Sequence, residues 1–106
     1  MGGNGTFGPG TRRNATAVTL DGVWDVKRLS GLLPPLGGVR KQIDGTRGKT
    51  MLGPLSASFD VRDLELHYRA PFRGFVDVLE VIDDDHVRGR ATFRGREFAR
   101  FELIRA

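Results

Sequence analysis

Apolar and polar residues alternate with a period of two in the C-terminal third of the chain, and this pattern restricts the fold more than any other feature. Between residues 86 and 94, one face of the pattern is apolar or glycine and consists of Val87, Gly89, Ala91 and Phe93. Because successive side chains of a strand point to opposite faces, such alternation predicts a strand with one face on a core. No window of the sequence shows sustained helical periodicity. The chain is therefore predicted to be all-β.

Turn residues separate a series of such runs, and Asp44-Gly45 is the clearest turn signal. The predicted strands are Thr16–Arg28, Val39–Ile43, Arg47–Leu52, Leu55–Val61, Leu64–Arg69, Phe72–Ile82, His86–Arg94 and Glu97–Arg105. Short strands at this spacing are typical of a meander. We predict a small antiparallel up-and-down barrel, or a strongly curled sheet, of about seven to eight strands.

Length and composition predict one domain preceded by a tail. The chain has 106 residues, and residues 1–14 are dominated by glycine with Asn, Thr and Pro. A segment of this composition buries too little apolar surface to offset its ordering entropy, so we predict a disordered tail over 1–14 and a single barrel domain over 15–106. No stretch approaches the roughly 18 apolar residues of a membrane span. The sequence shows no export signal, so the expected location is cytoplasmic and no membrane association is predicted.

Several kinds of site are excluded by residue counts. The absence of cysteine rules out disulfides, thiolate metal sites and cysteine nucleophiles. The chain has 2 histidines without metal-binding spacing, so we predict no metal site and no cofactor. Lys and Arg exceed Asp and Glu only by 17 to 13. The arginines of the last hairpin are mixed with acids and accompany no RNA-binding signature, which argues against a nucleic-acid partner.

The register of the last three strands follows from keeping their apolar faces together. A three-residue loop at Arg94–Arg96 pairs Ala91 with Ala99. A three-residue loop at Asp83–Asp85 pairs Asp77 with Ala91 and sets an acid opposite an arginine on the outer face. Asp77 is thereby predicted to point into the interior, beside two small residues.

An inward carboxylate needs a partner, since burial otherwise raises its pKa. Lys41 is one candidate, because Val39 and Ile43 flank it on the same face, and Tyr68 is another. The alternative is that Asp77 lies near a barrel end and bonds to backbone groups or water. A four-residue acidic loop would turn its side chain outward.

The segment from Leu20 to Val26 contains Gly22 and Trp24 in a Gly-x-Trp motif, which resembles the opening strand of the calycins, the lipocalin and fatty-acid-binding group. The resemblance implies that Trp24 and Arg105 stack where the first and last strands meet, at a closed barrel end. It also implies an interior that binds a small apolar ligand, with Leu32–Leu36 at a mouth or end. In outline the chain is also similar to small nitrobindin-like barrels, but its last strand has no histidine to bind haem.

Three hypotheses for function follow. The first is a non-enzymatic module that holds a small, largely apolar molecule. Its predicted lining consists of Phe75, Leu79, Phe101, Leu66 and Met51, with Asp77, Tyr68 and Lys41 as polar groups. The second is an enzyme for proton-transfer or cyclisation chemistry, with Asp77 as the general base and Lys41 or Tyr68 as its partner. The third is a homodimer with a filled core, held by the apolar residues predicted on the outer face, which are Val76, Val78, Phe98 and Ile104.

Overall fold

The computed structural model describes residues 19–32 and 37–106. In these ranges the strands are β1 (Gly22–Gly31), β2 (Arg40–Asp44), β3 (Arg47–Leu52), β4 (Leu55–Arg62), β5 (Glu65–Tyr68), β6 (Phe75–Asp83), β7 (His86–Phe93) and β8 (Arg96–Arg105). Each strand pairs antiparallel with the next, and β8 pairs with β1 to close the barrel. The all-β prediction is confirmed, and the sheet is a closed barrel rather than an open curled sheet.

Parts of two predictions fall outside the described ranges. These are the tail predicted over 1–14, together with the start of the first predicted strand, and residues 33–36 of the leucine-rich loop. Among the residues that are described, no helix is long and apolar enough to cross a membrane.

The register predicted for β6 and β7 is confirmed. Asp77 pairs with Ala91, and Glu80 pairs with Arg88 on the outer face. The predicted three-residue loop is wrong in detail, because Asp83 pairs with His86 and leaves a two-residue turn. A bulge between Val81 and Asp83 absorbs the extra residue, so the parity of β6 is kept and Asp77 points inward.

The hairpin of β7 and β8 shows the same compensation. Its turn is Arg94-Gly95, and both residues have positive φ, 50° and 85°. Positive φ at both central residues is the geometry of a type I′ turn, whose twist matches that of the flanking strands. The predicted three-residue loop is therefore wrong, but a bulge restores the predicted pairing of Ala91 with Ala99. Phe98 is the residue skipped by the pairing, and it packs against the core instead of lying on the outer face.

The barrel has two different ends. The chain enters β1 and leaves β8 at one end, here called the closed end, and the connections after β3, β5 and β7 lie at the other, the open end. At the closed end Trp24 is fully buried, and the guanidinium of Arg105 lies 4.1 Å from the centre of its ring. The predicted Trp24–Arg105 stack is thus present. The guanidinium also donates to the carbonyls of Asp21 and Thr19, at 2.7 and 3.1 Å.

Glycine is required beside this stack and in the core. Gly22 has φ of 126°, and a Cβ at this position would lie 2.9 Å from the Arg105 guanidinium. Gly89 faces inward directly under the ring of Phe101, so that an added Cβ would collide with that ring. The aromatic side chains therefore occupy the volume that these glycines leave free.

Tight packing is confined to the half of the barrel near the closed end. The largest fully buried side chains are Trp24, Phe59, Leu66, Leu103 and Val87. Interior residues of a small barrel commonly fill it completely. The half near the open end is not filled in this way, because its inward-facing side chains surround a cavity.

Candidate functional site

A cavity of about 290 Å³ occupies the half of the barrel nearer the open end. Its described lining consists of Val26, Val39, Lys41, Thr50, Ala57, Tyr68, Phe72, Phe75, Asp77, Ala91, Phe98 and Phe101. Phe72, in the connection between β5 and β6, is 43% exposed and marks the rim. Alanine at positions 57 and 91 leaves the volume empty, because larger side chains at these inward positions would fill it. The lining is predominantly apolar, as is usual for small-molecule sites.

Four polar side chains form a connected network in the cavity wall. The ammonium of Lys41 lies 2.6 Å from the Thr50 hydroxyl, 2.7 Å from the Tyr68 hydroxyl and 3.1 Å from Oδ2 of Asp77. The Tyr68 hydroxyl donates to the same Asp77 oxygen at 3.0 Å and lies 2.7 Å from the Thr50 hydroxyl. Strands β2, β3, β5 and β6 each contribute one of these side chains.

The charges of this network are shielded from solvent. The side chain of Lys41 is 4% exposed and that of Asp77 is 9% exposed. Three aromatic rings, of Phe59, Tyr68 and Phe101, have their centres 5.4 to 5.6 Å from the Lys41 ammonium. At this distance the faces of aromatic rings attract a cation. The ammonium is thus held by three oxygens and surrounded by aromatic carbon.

Burial and pairing act in opposite directions on Lys41. Burial disfavours its charged form and lowers its pKa, but the neighbouring Asp77 carboxylate and Tyr68 hydroxyl outweigh that effect. The pKa of Lys41 therefore lies above its ordinary value. Burial also raises the pKa of Tyr68, and although Lys41 counteracts this, the net direction is upward. At neutral pH, Lys41 is thus an ammonium and Tyr68 a neutral phenol.

Five of the predicted site residues come together around the cavity, and these are Asp77, Lys41, Tyr68, Phe75 and Phe101. Both candidate partners of Asp77 contact it. The other three predicted lining residues do not reach the cavity. Leu66 and Leu79 are buried in the core beyond the cavity. Met51 follows the inward-facing Thr50 directly, so the alternation of β3 places it on the outer face.

The prediction missed several lining residues for identifiable reasons. Thr50 faces inward two residues after Gly48, and the alternation of β3 is the signal that could have identified it. Phe98 is turned inward by the bulge described above. Phe72 was predicted as the first residue of a strand, but β6 begins at Phe75 and Phe72 lies in the connection before it. Val26, Ala57 and Ala91 have the inward parity of their strands, and Val39 directly precedes β2 with the same parity.

The histidines are not part of this site. His67 contacts Glu65 at 2.8 Å and His86 contacts Glu102 at 2.7 Å, both on the outer face. Across residues 19–32 and 37–106, no three side chains of His, Cys, Asp or Glu are grouped so that they could hold a metal ion.

A second depression lies outside the barrel over Gly89. This outer groove has a volume of about 530 Å³ and is lined by apolar residues such as Leu29 and Val78 and by charged residues such as Arg88, Arg90 and Glu102. It is larger than the interior cavity, but its floor is the outer face of the sheet and its arginine side chains are exposed to solvent. The cavity is the better candidate for a site, because only there does apolar wall enclose a buried polar network.

Comparisons of the chain with protein-family models, with curated proteins and with solved structures find no match.

Proposed function

We propose that this barrel binds a small, largely apolar molecule in its interior cavity. The observation that carries the proposal is the coincidence of unfilled apolar volume with a buried ion pair. Unfilled core volume is destabilising, at about 24 cal/mol per Å³ in a reference series of cavity mutants. A buried ion pair is often no better for stability than apolar residues of similar volume. Both features lie in one half of the barrel, while the other half is well packed, which is the pattern expected of a binding site.

The calycin-like character of the chain belongs to the same proposal. An eight-stranded up-and-down barrel with Trp24 stacked on Arg105 at its closed end has the arrangement that the resemblance implied. Barrels of this size can hold one small ligand. A calycin-like binding module therefore agrees with both the topology and the cavity.

The test combines ligand detection with a filled-cavity variant. Native mass spectrometry of the freshly purified chain should detect a co-purified small molecule, or calorimetric titration should detect uptake of naphthalene added as a probe. Ala57 lines the cavity, whereas the next residue, Ser58, is exposed on the outer face of the same strand. Ala57→Leu should weaken naphthalene binding by at least about tenfold, a loss of roughly 1.4 kcal/mol. The control Ser58→Leu should bind like the parent chain.

Two results would contradict this function. One is that neither a co-purified molecule nor naphthalene binding is detected. The other is that Ala57→Leu, still folded, binds naphthalene as tightly as the parent chain does.

Proton-transfer catalysis at Asp77 is the second candidate. The observation that favours it is that Asp77 lines the cavity and that its Oδ1 accepts no hydrogen bond from the described residues. A base needs such an accessible acceptor atom. If the site is catalytic, a bound molecule is converted by the parent chain and is bound but unchanged by Asp77→Asn. The homodimer stays a prediction, with Val76, Val78 and Ile104 on the outer face as its interface. The same mass spectrum tests it, because it reports the mass of the intact assembly.

A further inference from the structure

We propose that the ligand of the cavity is electrically neutral and donates a hydrogen bond to Asp77, as an alcohol, a phenol or an N–H compound does, and is not a carboxylate. The inference rests on the proposed function and specifies its ligand class. It follows from counting the protons and acceptors of the buried network.

The donors of the network already have partners within it. The Lys41 ammonium donates to the hydroxyls of Thr50 and Tyr68 and forms an ion pair with Asp77 at 3.1 Å. The single hydroxyl proton of Tyr68 goes to Oδ2 of Asp77. The contact of 2.7 Å between the Thr50 and Tyr68 hydroxyls must therefore use the proton of Thr50. No N–H or O–H of these four side chains is left for a ligand.

The network can still accept a hydrogen bond from a ligand, at the Asp77 carboxylate. Oδ2 of Asp77 accepts the Tyr68 hydroxyl and lies 3.1 Å from the Lys41 ammonium, while Oδ1 accepts no hydrogen bond from residues 19–32 and 37–106. Asp77 is only 6% exposed, so bulk water has little access to the carboxylate. A buried acceptor without a partner costs about 1–3 kcal/mol, and more when it is charged. A donor on the ligand would remove this cost.

The charge of the site excludes ionic ligands for a separate reason. Lys41 and Asp77 neutralise each other at 3.1 Å, so the cavity has no net charge to offset that of a ligand. A carboxylate would lose its hydration and meet the Asp77 carboxylate with no free donor to bind it. An ammonium would meet the Lys41 charge. A neutral donor loses the least hydration.

The cavity also limits the size of the ligand. Its volume of about 290 Å³ is roughly twice that of the cavity of about 150 Å³ known to hold benzene. A fused two-ring molecule of about ten to twelve non-hydrogen atoms is the size expected from that comparison. The walls around it are aliphatic and aromatic carbon, except at the network.

Three probes of matched shape test the inference, namely naphthalene, 2-naphthol and 2-naphthoate, titrated into the chain at neutral pH by calorimetry. A hydrogen bond to a charged group contributes about 1.5–3 kcal/mol, so 2-naphthol should bind at least about tenfold more tightly than naphthalene. 2-Naphthoate should bind more weakly than naphthalene, because it loses its hydration without gaining a donor. If naphthoate binds as well as 2-naphthol, or 2-naphthol has no advantage over naphthalene, the donor inference is wrong while the proposed function stands. If none of the three binds, the donor inference is wrong, and the proposed function is wrong as well when no co-purified molecule is detected.

A variant of the network gives an independent test. In Thr50→Val the Lys41 ammonium loses one acceptor, so one N–H becomes available to a ligand. The ratio of 2-naphthol affinity to 2-naphthoate affinity should then fall by at least about tenfold. Thr46→Val, at an exposed turn position, is the control and should keep the parental ratio. A merely structural role of Thr50 would weaken all probes alike, and an unchanged ratio in Thr50→Val would overturn the inference.

Discussion

The buried ion pair gives the most demanding quantitative prediction. Lys41→Met removes the ammonium and leaves the Asp77 carboxylate buried, with Tyr68 as its one remaining donor in the network. Asp77→Leu leaves the ammonium in an aromatic surrounding with two hydroxyl oxygens. Removing one member of a buried pair costs about 3–5 kcal/mol, because the other charge is left uncompensated. Since single domains are stable by about 5–15 kcal/mol, each variant should be strongly destabilised.

The double variant Lys41→Met with Asp77→Leu should recover most of this loss. Both charges are gone, the hydrogen bond between Thr50 and Tyr68 remains, and apolar replacements of similar volume are often neutral or stabilising. We expect a coupling free energy of at least about 3 kcal/mol between the two sites. Urea unfolding of the four chains, followed by tryptophan fluorescence, measures it. If each single variant lowers the free energy of unfolding by less than about 1 kcal/mol, as is typical of a solvated surface pair, the ion pair is hydrated and the network is not shielded from water.

Three further predictions concern packing, the closed end and pH. Gly89→Ala should destabilise the chain by about 1–3 kcal/mol through overpacking against Phe101, and urea unfolding should show recovery in the double variant with Phe101→Leu; a single variant as stable as the parent would refute the close approach. Arg105→Met should cost about 2 kcal/mol, since the cation–π contact with Trp24 and the hydrogen bonds to the carbonyls of Asp84, Asp21 and Thr19 are lost. An unchanged urea midpoint would show that the stack contributes nothing. Tyr68 is the only tyrosine, so the near-ultraviolet absorbance of tyrosinate reports its ionisation directly. Because burial raises the pKa of Tyr68, the midpoint should lie above the ordinary 10.0, and the stability that this group contributes, complete below that value, should be lost as pH rises through the folded pKa. A midpoint at or below 10.0 would contradict its burial.

The sequence was sufficient to predict the strands and, for most residues, the face of the sheet to which the side chain points. Alternation in β7 and β8 decided that Ala91 faces Ala99, and pairing of their apolar faces then carried Asp77 inward. Closure of the barrel could not be deduced in the same way. The pairing of β1 with β8 depends on the accumulated twist and tilt of all the strands, which no local pattern contains.

Both hairpins show why detail was missed although the register was correct. A three-residue loop and a two-residue turn with one bulged residue have the same parity, so the hydrophobic pattern cannot distinguish them. The difference matters for function only at Phe98, which the bulge brings into the cavity wall. Phe98 was predicted on the outer face, and the structure places it in the cavity wall.

The errors at the site arose where apolar character was given more weight than position. Met51 is apolar and was predicted to line the interior, but the alternation of β3 points it outward and points Thr50 inward. Leu66 and Leu79 do face inward, but a sequence does not show at which height of the barrel the core ends and the cavity begins. That boundary depends on which rings lie across Gly48 and Gly89.

The most direct test of a ligand cavity in this barrel is to locate a bound probe by NMR. We expect intermolecular nuclear Overhauser effects between 2-naphthol and the methyl groups of Ala57 and Ala91, which line the interior. Contacts only with Leu29 and Val78, in the outer groove, would contradict the account and place binding on the outside of the sheet.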